Sequence, residues 1–371
     1  IFEYSSPGKR SSSLAAARVP DADPADAIPW HLLRKSPPAL PEVSEPEIAR
    51  HYTRLANLNH SVDTSFYPLG SCTMKYNPKV NEDVSALPGF LELHPETPIE
   101  YAQGTLEIMY CLERALCAIT GMAAATLAPA AGAHGELTGL LIIRAALEDA
   151  GETERKVMLI PDSAHGTNPA SAVLAGFSPV TIRSDEKGMV SLSALEEHLN
   201  DRLGGIMITN PNTLGVFEEN IVTILRLVHE AGGYAYCDGA NMNALLGRSR
   251  PGDVGFDVVQ LNLHKTFSTP HGGGGPGSGP VLVGEHLAPY LPEPVISLRD
   301  GTYVLDRPAK SIGRVRSFHG NVGVMLKAFA YILSLGPEGL SAVADHAVLN
   351  ASYLYSLIQK DFPVRYESPF L

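Results

Sequence analysis

The chain has 371 residues, 44% hydrophobic and 18% charged, which suits a globular protein with a large core and excludes wholesale disorder, collagen-like repeats and disulfide miniproteins. Its 28 basic residues stand against 40 acidic ones, a formal net charge of −12, which argues against nucleic acid as a partner. Cys72, Cys111, Cys117 and Cys237 lie far apart with no C-x-x-C pair, so no zinc ribbon or disulfide framework is read and a reducing compartment is expected.

Along the chain, residues 1–47 are rich in Pro, Ala and Ser, with Pro20, Pro24, Pro29, Pro37, Pro38 and Pro41 fixing φ and removing donors, and read as an extended arm. A short helix is expected over Glu47–Leu55. Ser65–Pro78 reads as an ordered loop, broken by Pro68 and Gly70 and anchored by Tyr67, Leu69 and Met74. Apolar residues at helical spacing predict a helix over Tyr101–Ile119, stopped by Gly121. Next, Gly132-Ala133-His134-Gly135 feeds a second helix through Leu137, Leu140, Leu141 and Ala145, and a glycine-containing turn at a helix N-terminus attracts anions. The most apolar stretch, Leu137–Leu147, is interrupted by Arg144 and is too short for the roughly 20 residues of a membrane span.

Strand and helix signals then alternate. Strands are expected at Val157–Ile160, Val180–Ile182, Ile206–Ile208, Tyr234–Cys237 and Val258–Leu261, and helices at Ala170–Ala175, Leu192–Leu199 and Ile221–Ala231. That alternation implies right-handed crossovers and a mainly parallel sheet covered by helices, an α/β fold. Val322–Leu335 and Leu340–Ile358 read as two long helices, and a new strand is expected at Val364–Tyr366.

The strongest chemical signal is Tyr236-Cys237-Asp238-Gly239-Ala240 followed by Leu261-Asn262-Leu263-His264-Lys265-Thr266. Each polar residue falls just past the carboxyl end of a buried strand, where open α/β sheets place their ligands. A carboxylate and a lysine displayed on adjacent strand ends are what pyridoxal phosphate requires: Lys265 for the Schiff base, Asp238 to hold the pyridine nitrogen protonated. Alone, such a pair is as readily a structural ion pair. Its neighbours add weight: His165, in Ser163-Ala164-His165-Gly166-Thr167-Asn168-Pro169, to stack on a ring; the Gly132–Gly135 turn for a phosphate; and Asn210-Pro211-Asn212-Thr213 to offer donors to a phenolic oxygen.

Phe66-Tyr67-Pro68-Leu69-Gly70-Ser71-Cys72-Thr73-Met74-Lys75-Tyr76-Asn77-Pro78, the Ala130–Glu136 and Ser163–Pro169 segments, and His264-Lys265-Thr266-Phe267 with Pro270-His271 and the glycines that follow resemble the glycine cleavage system P-protein family, glycine dehydrogenase (decarboxylating). The resemblance runs from about Leu40 to the end and is nearest to the second subunit of the split form or the matching half of the fused enzyme. It implies the type I pyridoxal-phosphate-dependent transferase fold and the activity EC 1.4.4.2. Glycine would be decarboxylated on pyridoxal 5′-phosphate and its aminomethyl group transferred to the lipoyl arm of the H-protein. It implies Lys265, His165 and Asp238 as catalytic residues, and Gly132, Ala133, His134, His165, Thr213, Asp238, Ala240, His264 and Lys265 as the cofactor site. Implied partners are lipoylated H-protein and a companion P-protein subunit, or a second copy if the parent is fused, with no nucleic acid and no membrane. The implied location is the cytoplasm, or the mitochondrial matrix if a targeting segment was removed.

In domain terms, 1–47 would be the arm, 48–100 an N-terminal segment with an active-site loop, 101–320 the large cofactor-binding domain and 321–371 the helical start of a truncated C-terminal small domain. The glycine run Gly272–Gly279 would let backbone approach a cofactor or a visiting arm closely. Other readings are another type I enzyme, an aminotransferase with Arg314 or Arg316 on the substrate carboxylate or a cysteine desulfurase, and a noncatalytic scaffold subunit. Lys265 argues against a scaffold. No G-K-[ST] supports nucleotide binding, and His134, His165, His264 and His271 form no H-E-x-x-H zinc pattern.

Overall fold

The computed structural model describes residues 1–12, 18–65, 67–69, 72–270, 277–363 and 366, with backbone only at 67–69 and 72–74. They form two compact units, Ile1–Tyr67 and Pro68–Leu371. In the first, the expected short helix runs over Glu45–Asn57 and starts with a capping box. The Glu47 carboxylate takes the Ser44 N–H and hydroxyl, each at 2.8 Å, and pairs with Lys9 at 2.7 Å. Glu42 binds back to Ser5 and Gly8. The proline-rich arm is therefore tied at its start to the segment that opens the helix.

β1 (Tyr67–Leu69) and β2 (Cys72–Met74) form a two-stranded sheet inside the stretch read as a loop. The main sheet comprises β3 (Ala124–Thr126), β4 (Val157–Pro161), β5 (Ser178–Ile182), β6 (Leu203–Ile208), β7 (Tyr234–Gly239), β8 (Val258–Leu261) and β9 (Val281–Val283), in the order β3-β9-β8-β7-β6-β4-β5. Strands β4 to β8 pair in parallel, and β9 runs antiparallel to both its neighbours. The five expected strands are all present. Sequence reasoning missed β3 and β9, three residues each, too short to carry a period. It also missed the hairpin of β10 (Val295–Arg299) and β11 (Thr302–Asp306), whose Asp300-Gly301 turn has positive φ at both residues.

Successive strand residues face opposite cores, as the pleat demands. Leu159, Ile206, Ala235, Cys237 and Val259 join the cluster under helices Gln103–Thr120 and Ile221–Glu230. Met158, Ile160, Met207, Tyr236 and Val258 join the one under helices Gly132–Asp149 and Thr167–Leu174. The last helical stretch, Val322–Ile358, breaks at Gly336 (φ 62°, ψ −175°) before Pro337, so it is two helices, as the sequence predicts. Of the strand expected at Val364–Tyr366, residues 364 and 365 lie outside the described residues.

Helix Gly132–Asp149 lies directly on the sheet because its contact stripe has no side chains. Gly132, Gly135 and Gly139 recur at spacings of three and four and share one face. A Cβ at Gly135 would meet the Gly279 carbonyl oxygen at 2.5 Å and Gln260 Cγ at 2.8 Å, and one at Gly139 would meet the Tyr236 ring at 2.7 Å. At Gly132 it would run into the Asn262 amide. At the opposite, amino end of the strands, buried Asp257 accepts from His229 (2.8 Å), His286 (3.1 Å) and the Ala235 N–H (2.7 Å). Burial alone would raise its pKa, yet these donors hold it down at about 2.

Gly139→Ala should destabilise the protein by about 1–3 kcal/mol through overpacking against Tyr236, exceeding the gain of about 1 kcal/mol in helix propensity. The urea unfolding midpoint should fall; an unchanged or higher midpoint would contradict the packing account.

Candidate active site

The carboxyl ends of β4, β7 and β8 bring most of the expected residues to one edge of the sheet. Asp238, next to last in β7 and 5% exposed, stands in register with Gln260 of β8. Its Oδ1 accepts the Ala240 N–H at 3.0 Å and its Oδ2 accepts from Asn168 Nδ2 at 3.1 Å. Beyond β8 the chain turns, with the Lys265 N–H bonded to the Asn262 carbonyl at 3.0 Å. That turn buries His264 and Thr266 and leaves Lys265 half-buried. Among the described residues the Lys265 ammonium has no hydrogen-bond or ion-pair partner, although its charge reaches Glu136. The Thr266 hydroxyl accepts the Met242 N–H at 2.9 Å, locking the turn after β8 to the one after β7.

The loop ending in Asn77 braces this turn from behind. Ser268 is held at φ 55°, its carbonyl accepting from Asn77 Nδ2 at 2.5 Å and its hydroxyl donating to the Tyr76 carbonyl at 2.6 Å. A serine persists in the left-handed region only when its surroundings over-determine it. Phe66, Gly70, Ser71 and residues 271–276 lie outside the described residues. At the end of the glycine run, the Gly279 N–H bonds the Pro129 carbonyl at 3.1 Å, and a Cβ there would strike the Ala131 carbonyl. Gly277 and Gly279 thus make their close approach to the chain's own loop before Gly132.

His165 follows β4, exposed, its Nδ1 accepting the Thr167 N–H at 3.2 Å, which leaves Nε2 as the protonated nitrogen when the ring is neutral. Gly132, Ala133 and His134 form the first turn of their helix, with the Ala130 N–H donated to His134 Nδ1 at 3.1 Å. Burial and then the Arg316 charge lower the pKa of His134, so its imidazole favours the neutral form. Arg316 donates through Nη2 to Asn321 at 2.8 Å, while its Nη1 is buried with no partner among the described residues. Arg314 instead lines a cavity of about 1070 Å³ with His94, His319 and Lys327. Thr213 is not drawn in: it sits exposed in the turn after β6, where Asn212 bonds Gly188 and Val216.

Sequence reasoning missed Glu136. It is 5% exposed and accepts at Oε2 from Asn168 Nδ2 (3.1 Å) and Ser171 Oγ (3.3 Å). Burial and the neighbouring Asp238 charge push its pKa up to about 7. The available signal was a lone carboxylate in the first turns of an otherwise apolar, glycine-striped helix.

These groups fit pyridoxal phosphate. A helix N-terminus and an orphaned buried guanidinium nitrogen suit the phosphate, a buried carboxylate suits the ring nitrogen, and a half-buried lysine at the next strand end suits the aldehyde. Among the described residues, no helix is long and apolar enough to cross a membrane.

Comparison with known proteins agrees with this geometry. The family model for the glycine cleavage system P-protein matches residues 20–302. The chain is 60% identical over 356 residues to the probable glycine dehydrogenase (decarboxylating) subunit 2 of Caldanaerobacter subterraneus subsp. tengcongensis, covering 95% of this chain and 73% of that protein. Its namesake from Thermotoga maritima is 54% identical over 367 residues, covering 99% and 76%. Among solved structures, an inhibitor-bound glycine decarboxylase (P-protein) of the glycine cleavage system superposes with a TM-score of 0.74 at 23% identity, covering 90% of this chain and 77% of the other. A glutamate decarboxylase from Lactobacillus brevis gives 0.63 at 14%, covering 91% and 77%. The fold is the type I fold of pyridoxal-phosphate enzymes.

Proposed function

The chain belongs to the glycine cleavage system P-protein family, and we propose that it decarboxylates glycine and passes the aminomethyl group to the lipoyl arm of an H-protein, working with a companion subunit. The carrying observation is the pairing of β7 with β8, which sets buried Asp238 and Lys265 at neighbouring strand ends beside the Gly132 helix N-terminus. Pyridoxal phosphate, when bound, supplies the electron sink that takes up the pair left as carbon dioxide departs.

The chain's own residues bind and orient. Lys265 holds the aldehyde carbon, and Asp238 keeps a proton on the ring nitrogen. His165, held by the Thr167 N–H, covers a ring face. The N–H groups of Gly132, Ala133 and His134 take the phosphate, with Arg316 beside them as a second cation for an anionic group. Ala240 and His264 would border the ring from the turns after β7 and β8. The group passed on would be an aminomethyl joined by a new C–S bond to one lipoyl sulfur, the S–S bond breaking and the second sulfur taking the proton that the glycine ammonium gives up.

Residues 101–320 serve as the cofactor domain. The companion subunit follows from the relatives' names, which call them subunit 2. A cytoplasmic setting agrees with free Cys111, Cys117 and Cys237.

Borohydride reduction of the cofactor-loaded protein should fix the label on the peptide containing Lys265, and label on another lysine would refute the assignment. Asp238→Asn should lower glycine decarboxylation about 100-fold or more; near-normal turnover would remove Asp238 from its role. Exchange of labelled bicarbonate into the glycine carboxyl group should depend on lipoylated H-protein. Equally fast exchange without it, or amino transfer to a keto acid, would sink the function.

A further inference from the structure

Two carboxylates lie buried beneath the site where the proposed function uses only one. Glu136 Oε2 and Asp238 Oδ2 each sit 3.1 Å from the same nitrogen, Asn168 Nδ2, whose two hydrogens serve one oxygen apiece. Glu136 has one further donor, the Ser171 hydroxyl at 3.3 Å, and Asp238 has the Ala240 N–H. Buried carboxylates this close, with so few donors, resist carrying two charges at once.

We propose that Glu136 is a positioning residue that forms one carboxylate pair with Asp238 across the Asn168 amide, Glu136 taking the proton while Asp238 keeps the charge. The cofactor part of this inference rests on the proposed function: Asp238 meets the ring nitrogen as an anion because its neighbour holds the pair's proton. The pair itself is a property of the chain alone.

The surroundings agree. Burial and then the Asp238 charge raise the Glu136 pKa to about 7, against the lowering effects of Asn168, Ser171 and Lys265. Among the described residues, the ionisable groups coupled to the pair are Tyr236 and Cys237, from the same strand as Asp238, and Lys265, from the turn after β8. Helix Thr167–Leu174 contributes neutral Asn168 and Ser171, and β8 contributes neutral Gln260. The Tyr236 hydroxyl is buried with no hydrogen-bond partner among the described residues.

The linkage sign follows. A carboxyl group whose pKa rises on folding from 4.5 to about 7 contributes fully below 4.5, and that contribution is lost as pH climbs to about 7. Thermal unfolding of the cofactor-free full-length chain, followed from pH 4 to 8, tests this. Glu136→Gln copies the protonated acid, so its melting temperature should gain on wild type as pH rises through that window and the difference should level off above it. In an Asp238→Asn background the like charge is gone, and the pH at which that gain levels off should fall by about one unit or more. Parallel curves for wild type and Glu136→Gln, or a window unmoved by Asp238→Asn, would overturn the pair. Should Glu136→Gln not fold, Ser171→Ala should extend the wild-type loss to higher pH, and no extension would equally overturn it. Spectral titration with pyridoxal phosphate at pH 6 tests the cofactor part: Glu136→Gln should bind within about threefold of wild type, and a tenfold loss would show Glu136 acting as an anion. Failure of the wild type to bind the cofactor would sink the proposed function and leave the melting test of the pair standing.

Discussion

Asp238 is a carboxylate held almost out of water, and much of the architecture follows from keeping it there. Removing an ion from solvent is costly unless polar partners replace the water. Here the replacements come from two places: the Ala240 N–H just past its own strand and Asn168 from the helix after β4. Parallel pairing of β4, β6, β7 and β8 is what lets separate chain segments deliver those partners to one edge.

The two ends of the sheet treat buried carboxylates differently. At the amino end Asp257 is saturated by two imidazoles and a backbone N–H, and its pKa is depressed. At the carboxyl end Glu136 and Asp238 divide one amide, and Glu136 is pushed up. A satisfied ion behaves as a fastener. An under-satisfied pair retains the capacity to exchange a proton or accept a cationic partner, which is how perturbed groups mark functional sites.

Rigidity around the site comes from close backbone approach. The glycine stripe of helix Gly132–Asp149 brings its N-terminus down onto Asn262, Gln260 and Tyr236, and Gly279 sits against Ala131. On the other side Ser268 is held in a left-handed conformation by Tyr76 and Asn77. The lysine turn is thus fixed from two directions, and positioning of this kind supplies much of what catalysis needs from a protein scaffold.

What the sequence by itself determined was whatever local periodicity and strand-end chemistry can carry. The five parallel strands, the break between the last two helices at Gly336-Pro337, and Asp238 and Lys265 just beyond buried runs were legible because burial on both faces leaves an apolar run and the first polar residue after it marks the edge. Strands β3 and β9 were not, since three residues hold no period and their identity as strands depends on pairing with each other and with β8. Thr213 read in sequence as a donor to a phenolic oxygen, but it sits in an exposed turn whose Asn212 bonds Gly188 and Val216. Glu136 stood only at the end of a segment that carries the family resemblance, and Gly132–Gly135 read as a phosphate-binding turn. Only the tertiary structure decided that those glycines form a packing face and that Glu136 shares an amide with Asp238, because the first depends on Tyr236, Gln260 and Gly279 meeting the helix and the second on residues 32 and 70 positions from Asn168 being folded onto it.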